Sequence, residues 1–260
     1  MSLNRRSLLL AAPALALAPR LASAAEALRW GYNAAAFPPW TIKEADGAWK
    51  GFDVDIMNAL CERMQAECRI VPMAWDGMIP ALQSKRIDIV WTGMSITEAR
   101  LKVIDFGDRY RRGPGAFIAL KNENIPISDE GLKGKVIGAQ GSSNFYSYAN
   151  HYFGKVAELK MYATTDEALS DLAARRIDVV LADILQMKLF LATDKGKDFE
   201  IKGQTQVNVQ ILGRGAGPGI RKGDEELRLK LNAALKAIRD DGTYQKIAAK
   251  YFDFDPYGAD

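Results

Sequence analysis

The chain has 260 residues, 35 Lys+Arg against 32 Asp+Glu, one histidine and a formal net charge of +3. Three of the basic residues, Arg5, Arg6 and Arg20, lie in an N-terminal leader, and without them the two signs balance, which removes the electrostatic case for a nucleic-acid or acidic-membrane partner. Two cysteines and a lone His151 do not make a tetrahedral metal site, so neither metal nor cofactor is expected.

Met1–Ser7 carries the paired arginines, Leu8–Ala18 is an apolar run of Leu, Ala and one Pro, and Ala22-Ser23-Ala24 is a small-residue cleavage site. Residues 1–24 therefore read as a secretory signal peptide, too short in its apolar part to span a bilayer. NRRSLLL also resembles a twin-arginine signal, so the export route stays open. The mature part is expected to be soluble, outside the cytoplasm, and long enough for two small domains or one large one.

Beyond the leader, strand-like and helix-like periods alternate. Leu28–Tyr32 reads as a strand, and Asp53–Ile56 opens a helix with Ile56, Leu60 and Met64 on one face. Cys68–Val71 is a second strand, Met78–Lys85 a short helix and Ile87–Trp91 a third strand. An exported chain with an even cysteine count favours a disulfide, here Cys61–Cys68, tying the end of that helix to the next strand. The alternation predicts an α/β fold with a mainly parallel sheet. Near the C-terminus, Asp224 leads into an amphipathic helix with Leu227, Leu231, Leu235 and Ile238 on one face; Asp241-Gly242 stops it, and a shorter helix runs to Tyr251-Phe252.

An internal echo supports two similar lobes. LQSKRIDIVWTG (82–93) and LAARRIDVVLAD (172–183) share Leu, Arg, Ile, Asp and Val at an offset of 90. Lys135–Ala139 is again a strand, followed by Gly141, Ser142 and Ser143. Small polar groups thus gather at the C-terminal ends of strands, where open α/β sheets bind ligands.

Several residues there have both a structural and a functional reading. Ser95-Ile96-Thr97-Glu98 matches a capping box, but a helix N-terminus with Arg100 nearby also suits a carboxylate. Ser142 and Ser143 cap a following helix or present hydroxyls across a cleft. Asp183 is an N-cap by position and, in the place that Gly93 holds in the first repeat, a receiver for an ammonium group. Arg100 and Asp183 together would recognise an α-amino acid. Phe37, in the loop Phe37-Pro38-Pro39-Trp40, and Trp75 would sandwich its side chain and exclude water.

With GFDVDIMNALCERM, MIPALQSKRIDIVWTGMSITEAR, VIDFGDRYRRG, LKGKVIGAQGSSN, RRIDVVLAD and DGTYQKIAAKYFDFD in order, the sequence resembles the periplasmic polar-amino-acid-binding proteins of ABC importers, the extracellular solute-binding protein family 3. Within it, the histidine-, lysine/arginine/ornithine- and glutamine-binding groups are the most similar. The resemblance implies a two-lobed periplasmic-binding-protein fold of type II, two hinge strands and ligand in the cleft. The expected division is a lobe of residues 25–112 and 211–260 and a second of 113–210. It also implies a periplasmic monomer that closes on its ligand and serves a membrane permease without catalysing a reaction.

Arg100 then resembles the arginine that clamps the α-carboxylate, aided by Ser95 and Ser143; Asp183 with the Gly93 carbonyl takes the α-ammonium; Phe37 and Trp75 enclose the side chain. Cys61 and Cys68 match the disulfide of the histidine- and lysine-type members. Asn33 stands where binders of basic amino acids carry an acid, so a cationic side chain loses its counter-charge. Thr92-Gly93-Met94-Ser95 looks like the glutamine-binding version, and a glutamine-like ligand is favoured. Arg109, Arg111 and Arg112 approach the hinge; one that reached the pocket would admit an acidic or opine-like ligand. A rival reading is an enzyme resembling the exported cyclohexadienyl (arogenate) dehydratases, but no spare acid is evident for the leaving hydroxyl.

Overall fold

A computed structural model describes residues 27–258, so the signal-peptide reading of residues 1–24 lies outside the described residues. β1 (Leu28–Asn33) leads through the hairpin β2 (Ile42–Lys43) and β3 (Trp49–Lys50) into α1 (Phe52–Met64), β4 (Cys68–Met73), α2 (Met78–Gln83), β5 (Ile89–Val90), α3 (Glu98–Leu101) and β6 (Asp105–Phe106). The chain then crosses to a second sheet through β7 (Gly115–Leu120), α4 (Asp129–Leu132), β8 (Val136–Gln140), α5 (Asn144–Phe153), β9 (Glu158–Tyr162), α6 (Thr165–Ala173), β10 (Val179–Asp183), α7 (Ile184–Leu191) and β11 (Phe199–Gln204). It returns by α8 (Val209–Leu212) to β12 (Gly219–Ile220) and ends in α9 (Glu225–Asp240) and α10 (Thr243–Ala248).

The two sheets run β4-β1-β5-β12-β6 and β11-β7-β10-β8-β9. Each has a parallel trio, β4-β1-β5 or β10-β8-β9, then one strand running against it, β12 or β7, and beyond that a strand running with it, β6 or β11. The mainly parallel sheet expected from sequence is thus interrupted in each lobe by the one strand that the chain enters after a crossing. The predicted strand 87–91 shrinks to Ile89–Val90, because β1 pairs with it only at Trp30↔Ile89 and Gly31↔Val90. The last helix stops at Ala248, short of the predicted Tyr251-Phe252.

The 90-residue echo has a backbone counterpart. Lys85 and Arg175, one offset apart, both take left-handed φ values of 59° and 58° in the turn before β5 and β10. Asp88 then accepts from the Arg29 amide at the start of β1 at 3.1 Å, and Asp178 from the Val136 amide at the start of β8 at 2.8 Å. In both lobes the Asp of RID fastens the neighbouring strand.

The first core is aromatic: Trp30, Tyr32, Trp40, Phe52, Trp91, Tyr110 and Tyr244 are buried, with Trp91 stacked on Tyr110 at 4.1 Å between centroids. Leu227, Leu231, Leu235 and Ile238 of α9 close it, as their spacing predicts. Cys61 and Cys68 are joined, linking α1 to β4 at the end of the sheet away from the strands' C-termini.

Candidate ligand-binding cleft

A cavity opens at the C-terminal ends of the strands of both sheets. Its wall includes Asn33, Phe37, Trp75, Thr92 and Gly93 from the first lobe, and Ser143 and Asp183 from the second. Seven of the ten ligand-binding positions expected from sequence therefore line one space. Thr92 Oγ1 accepts from the Asn33 amide at 3.3 Å, and Asn33 Oδ1 accepts from the Ala35 amide at 3.2 Å, which fixes the side chain at the cavity wall. Gly93 has φ of +68°, a backbone shape that any β-carbon would strain.

The anion grip is built differently from the expected capping box. Thr97, not Ser95, caps α3, accepting from the Arg100 amide at 3.3 Å. Ser95 instead forms a β-bridge to Ala216, which makes its backbone part of the crossing between lobes. Arg100 curls back so that Nη1 donates to the Ser95 carbonyl at 2.9 Å and Nη2 to the Ser142 carbonyl at 3.1 Å. Its guanidinium lies 5.4 Å from the Trp75 ring. Arg100 is buried, and among the described residues no carboxylate pairs with it; burial alone pulls it down to about 10, so it is still a cation at neutral pH. Buried Arg100 and exposed Ser142 do not line this cavity, and Ser95 lines the adjoining hinge-side chamber.

Of the serine pair, Ser143 follows the capping reading. Ser143 Oγ caps α5 by accepting from the Tyr146 amide at 3.0 Å and donates to the Gln140 carbonyl at 2.7 Å. Ser142, at φ of 56°, turns its carbonyl rather than its hydroxyl toward Arg100.

Asp183 caps α7, with Oδ1 accepting from the Leu185 amide at 2.9 Å. Burial pushes its carboxyl up, while Arg111 and the α7 amides oppose this. Arg109, Arg111 and Arg112 all line the adjoining hinge-side chamber and not this cavity; Arg111 is buried, Arg109 lies 4.6 Å from the Tyr257 ring and Arg112 is exposed.

Several lining residues had no evident sequence signal. Asn144 donates from Nδ2 to Ser95 Oγ at 3.1 Å and to the Leu212 carbonyl at 3.0 Å, a clasp from α5 to the first lobe. Gln140, Gln186 and exposed Asp166 also reach the cavity. Asp166, in the first turn of α6, brings a carboxylate to the same cavity as Asn33.

Residues 28–254 match the family of bacterial extracellular solute-binding proteins, family 3. The chain belongs to that family. The L-arginine-binding protein of Pseudomonas aeruginosa is 40% identical over 227 residues, covering 86% of this chain and 88% of its own. An ancestral arginine-binding protein bound to arginine superposes with a TM-score of 0.80 at 34% identity, over 87% of this chain and 98% of that one. The same kind of ancestral protein bound to glutamine gives 0.79 at 35% identity, over 88% and 98%. The two-lobed α/β fold read from the sequence is the fold of these proteins, and the family is one of binding proteins rather than enzymes.

Proposed function

We propose that this chain is a periplasmic amino-acid-binding protein that captures its ligand between the lobes and delivers it to the permease of an ABC importer, acting as a monomer. The observation that supports this best is the pair of opposite charges on opposite sides of the cleft. Arg100 is a buried cation without an acidic partner among the described residues, and Asp183 is a buried acid on the cavity wall. A zwitterion supplies the anion that Arg100 lacks and a cation on the cleft side of Asp183. Its carboxylate would take the place that the Ser142 carbonyl holds on the Arg100 fork, and its ammonium would meet Asp183. Phe37 and Trp75 would flank the side chain. The lobes in this reading are residues 25–112 with 211–260, and residues 113–210, closing about their two connections as hinged binding proteins do.

For the side chain, Asp166 favours a basic amino acid, in keeping with the relatives named for arginine. A glutamine-like ligand is the second reading. It is favoured by Asn33, whose Oδ1 is taken by the Ala35 amide so that the NH2 end can donate to a ligand carbonyl. Titration calorimetry with L-arginine, L-lysine, L-histidine and L-glutamine tests both. Asp166→Asn should weaken arginine binding tenfold or more, by loss of a charge-assisted contact worth about 1.5–3 kcal/mol, and leave glutamine nearly unchanged. Wild-type affinity for every amino acid in both Arg100→Ala and Asp183→Ala would refute amino-acid capture at this site.

A further inference from the structure

Behind the cavity wall lies a second pair of charges that simple zwitterion capture does not require. Arg111 Nε is 3.3 Å from Asp53 Oδ1, with side chains only 4% and 1% exposed. The guanidinium is stacked 3.7 Å from the Trp40 ring and 5.9 Å from that of Phe37. Neither Asp53 oxygen nor Arg111 Nε and Nη2 makes a well-aligned hydrogen bond, so the pair acts through charge more than through a directed contact.

Arg111 also reaches the two residues placed at the ammonium position. A β-carbon on Gly93 would overlap Arg111 Nη2. One on Gly113 would overlap Asp183 Oδ2 and lie 3.9 Å from Arg111 Nη1. Both glycines leave room for the guanidinium to stand between Asp53 of the first lobe and Asp183 of the second. With water excluded, charges at such separations act strongly on one another.

We infer that Arg111 is a positioning residue of the ligand site: backed by Asp53, it holds the Asp183 carboxylate ionised and turned toward the cleft. The inference rests on the amino-acid reading above. Ligand binding then completes a row of alternating signs: Asp53, Arg111, Asp183, ligand ammonium, ligand carboxylate, Arg100. Each charge in the row has opposite neighbours, and the four protein charges sum to zero, which suits a zwitterion. The groups facing Asp183 are Arg111 from the first crossing, the Leu185 and Gln186 amides of α7, the Trp40 indole, and Asp53 beyond Arg111. Burial opposes ionisation of Asp183, and Arg111 is the one cation among these groups.

The test is the pH profile of affinity for L-arginine and L-glutamine in the wild type, Arg111→Lys and the double variant Asp53→Asn/Arg111→Met, which leaves no member of the pair stranded. The wild type and Arg111→Lys should lose affinity over the same acid range. The acid limb of the double variant should begin at higher pH, with roughly tenfold loss per unit below it. Superimposable profiles would overturn the inference. A direct reading in unliganded wild type uses carbon-13 NMR of labelled aspartate, with Asp183 identified by the signal lost in Asp183→Asn. The midpoint is expected to lie at lower pH than that of the same signal in the double variant, and coincident midpoints contradict the proposal. Loss of binding in Arg100→Ala and Asp183→Ala alongside unshifted profiles would remove only the role of Arg111. Unimpaired binding in those two variants would remove the underlying reading.

Discussion

Arg100 of the first lobe donates to the backbone carbonyl of Ser142 in the second, at 3.1 Å, and thereby spans the cleft with no acidic group at its end. A carbonyl is a weaker acceptor than a carboxylate, so an anionic ligand competes for this fork on favourable terms. Arg100→Lys keeps the charge and loses the planar fork. Amino-acid affinity should fall about 10- to 100-fold, the loss of a charge-assisted hydrogen bond of ~1.5–3 kcal/mol. Calorimetry reads this, and an unchanged Kd would mean that charge alone carries the contact.

The Asn144 clasp bears on residence time. Its amide joins α5 to the Leu212 carbonyl and to Ser95 Oγ, the second of these reaching across to the other lobe. Asn144→Ala should speed ligand dissociation about 5- to 30-fold, at ~1 kcal/mol per neutral hydrogen bond, and change association little. Stopped-flow traces separate the two rates; a change confined to association would count against a clasp.

Acid stability should depend on Asp88. Arg29 grips it through Nε at 2.8 Å and Nη2 at 2.9 Å, and Arg221 Nη2 reaches it at 3.2 Å. Burial raises its pKa, but the hydrogen bonds from Arg29 and Arg221 outweigh burial and hold it below the usual carboxylate range. A depressed folded value means the stabilisation is complete above the unfolded value near pH ~4 and drains away as pH falls through the folded one. Asp88→Asn should cost about 1–3 kcal/mol at pH 7, less than a fully buried pair because all three side chains are partly solvated. Melting curves of wild type and variant should converge below about pH 4. Parallel curves would assign the loss to packing.

The disulfide should affect stability and leave the site alone. Cys61 and Cys68 are seven residues apart, at the pole of the first sheet opposite the cleft. A loop of that size restricts the unfolded chain by roughly 2–3 kcal/mol. Cys61→Ala/Cys68→Ala should therefore melt several degrees lower and bind with wild-type affinity, as scanning calorimetry and ligand titration would show. An affinity change would reveal coupling across the sheet.

The lobes, the repeat and the cleft position were legible because each follows from local chemistry. The RID motif recurs because a left-handed turn and a strand-anchoring aspartate recur at Asp88 and Asp178. Asp183 was legible as a cap because an aspartate between an apolar strand and a helix has few other uses. Ser95 was misread because Thr97, two residues on, is an equally good cap, and only the bridge from Ser95 to Ala216 decides between them. Asp166, Asn144 and Asp53 were missed for a shared reason. An acid in a helix's first turn, as Asp166 and Asp53 are, is what the helix dipole favours anyway, and Asn144 is an ordinary polar residue directly after a cap, so nothing in sequence marks them as facing a cleft. Their roles depend on contacts between distant segments: Asp53 lies 58 positions from Arg111.

Ala216 pairs across one backbone with Ser95 and with Arg111. One flank of this single residue leads to the carbonyl that holds Arg100, and the other to the guanidinium behind Asp183. The backbone segments that carry Arg100's Ser95 acceptor and Arg111 are thus stitched to one residue, so a substitution at Ala216 that breaks either bridge would disturb both sides of the site together.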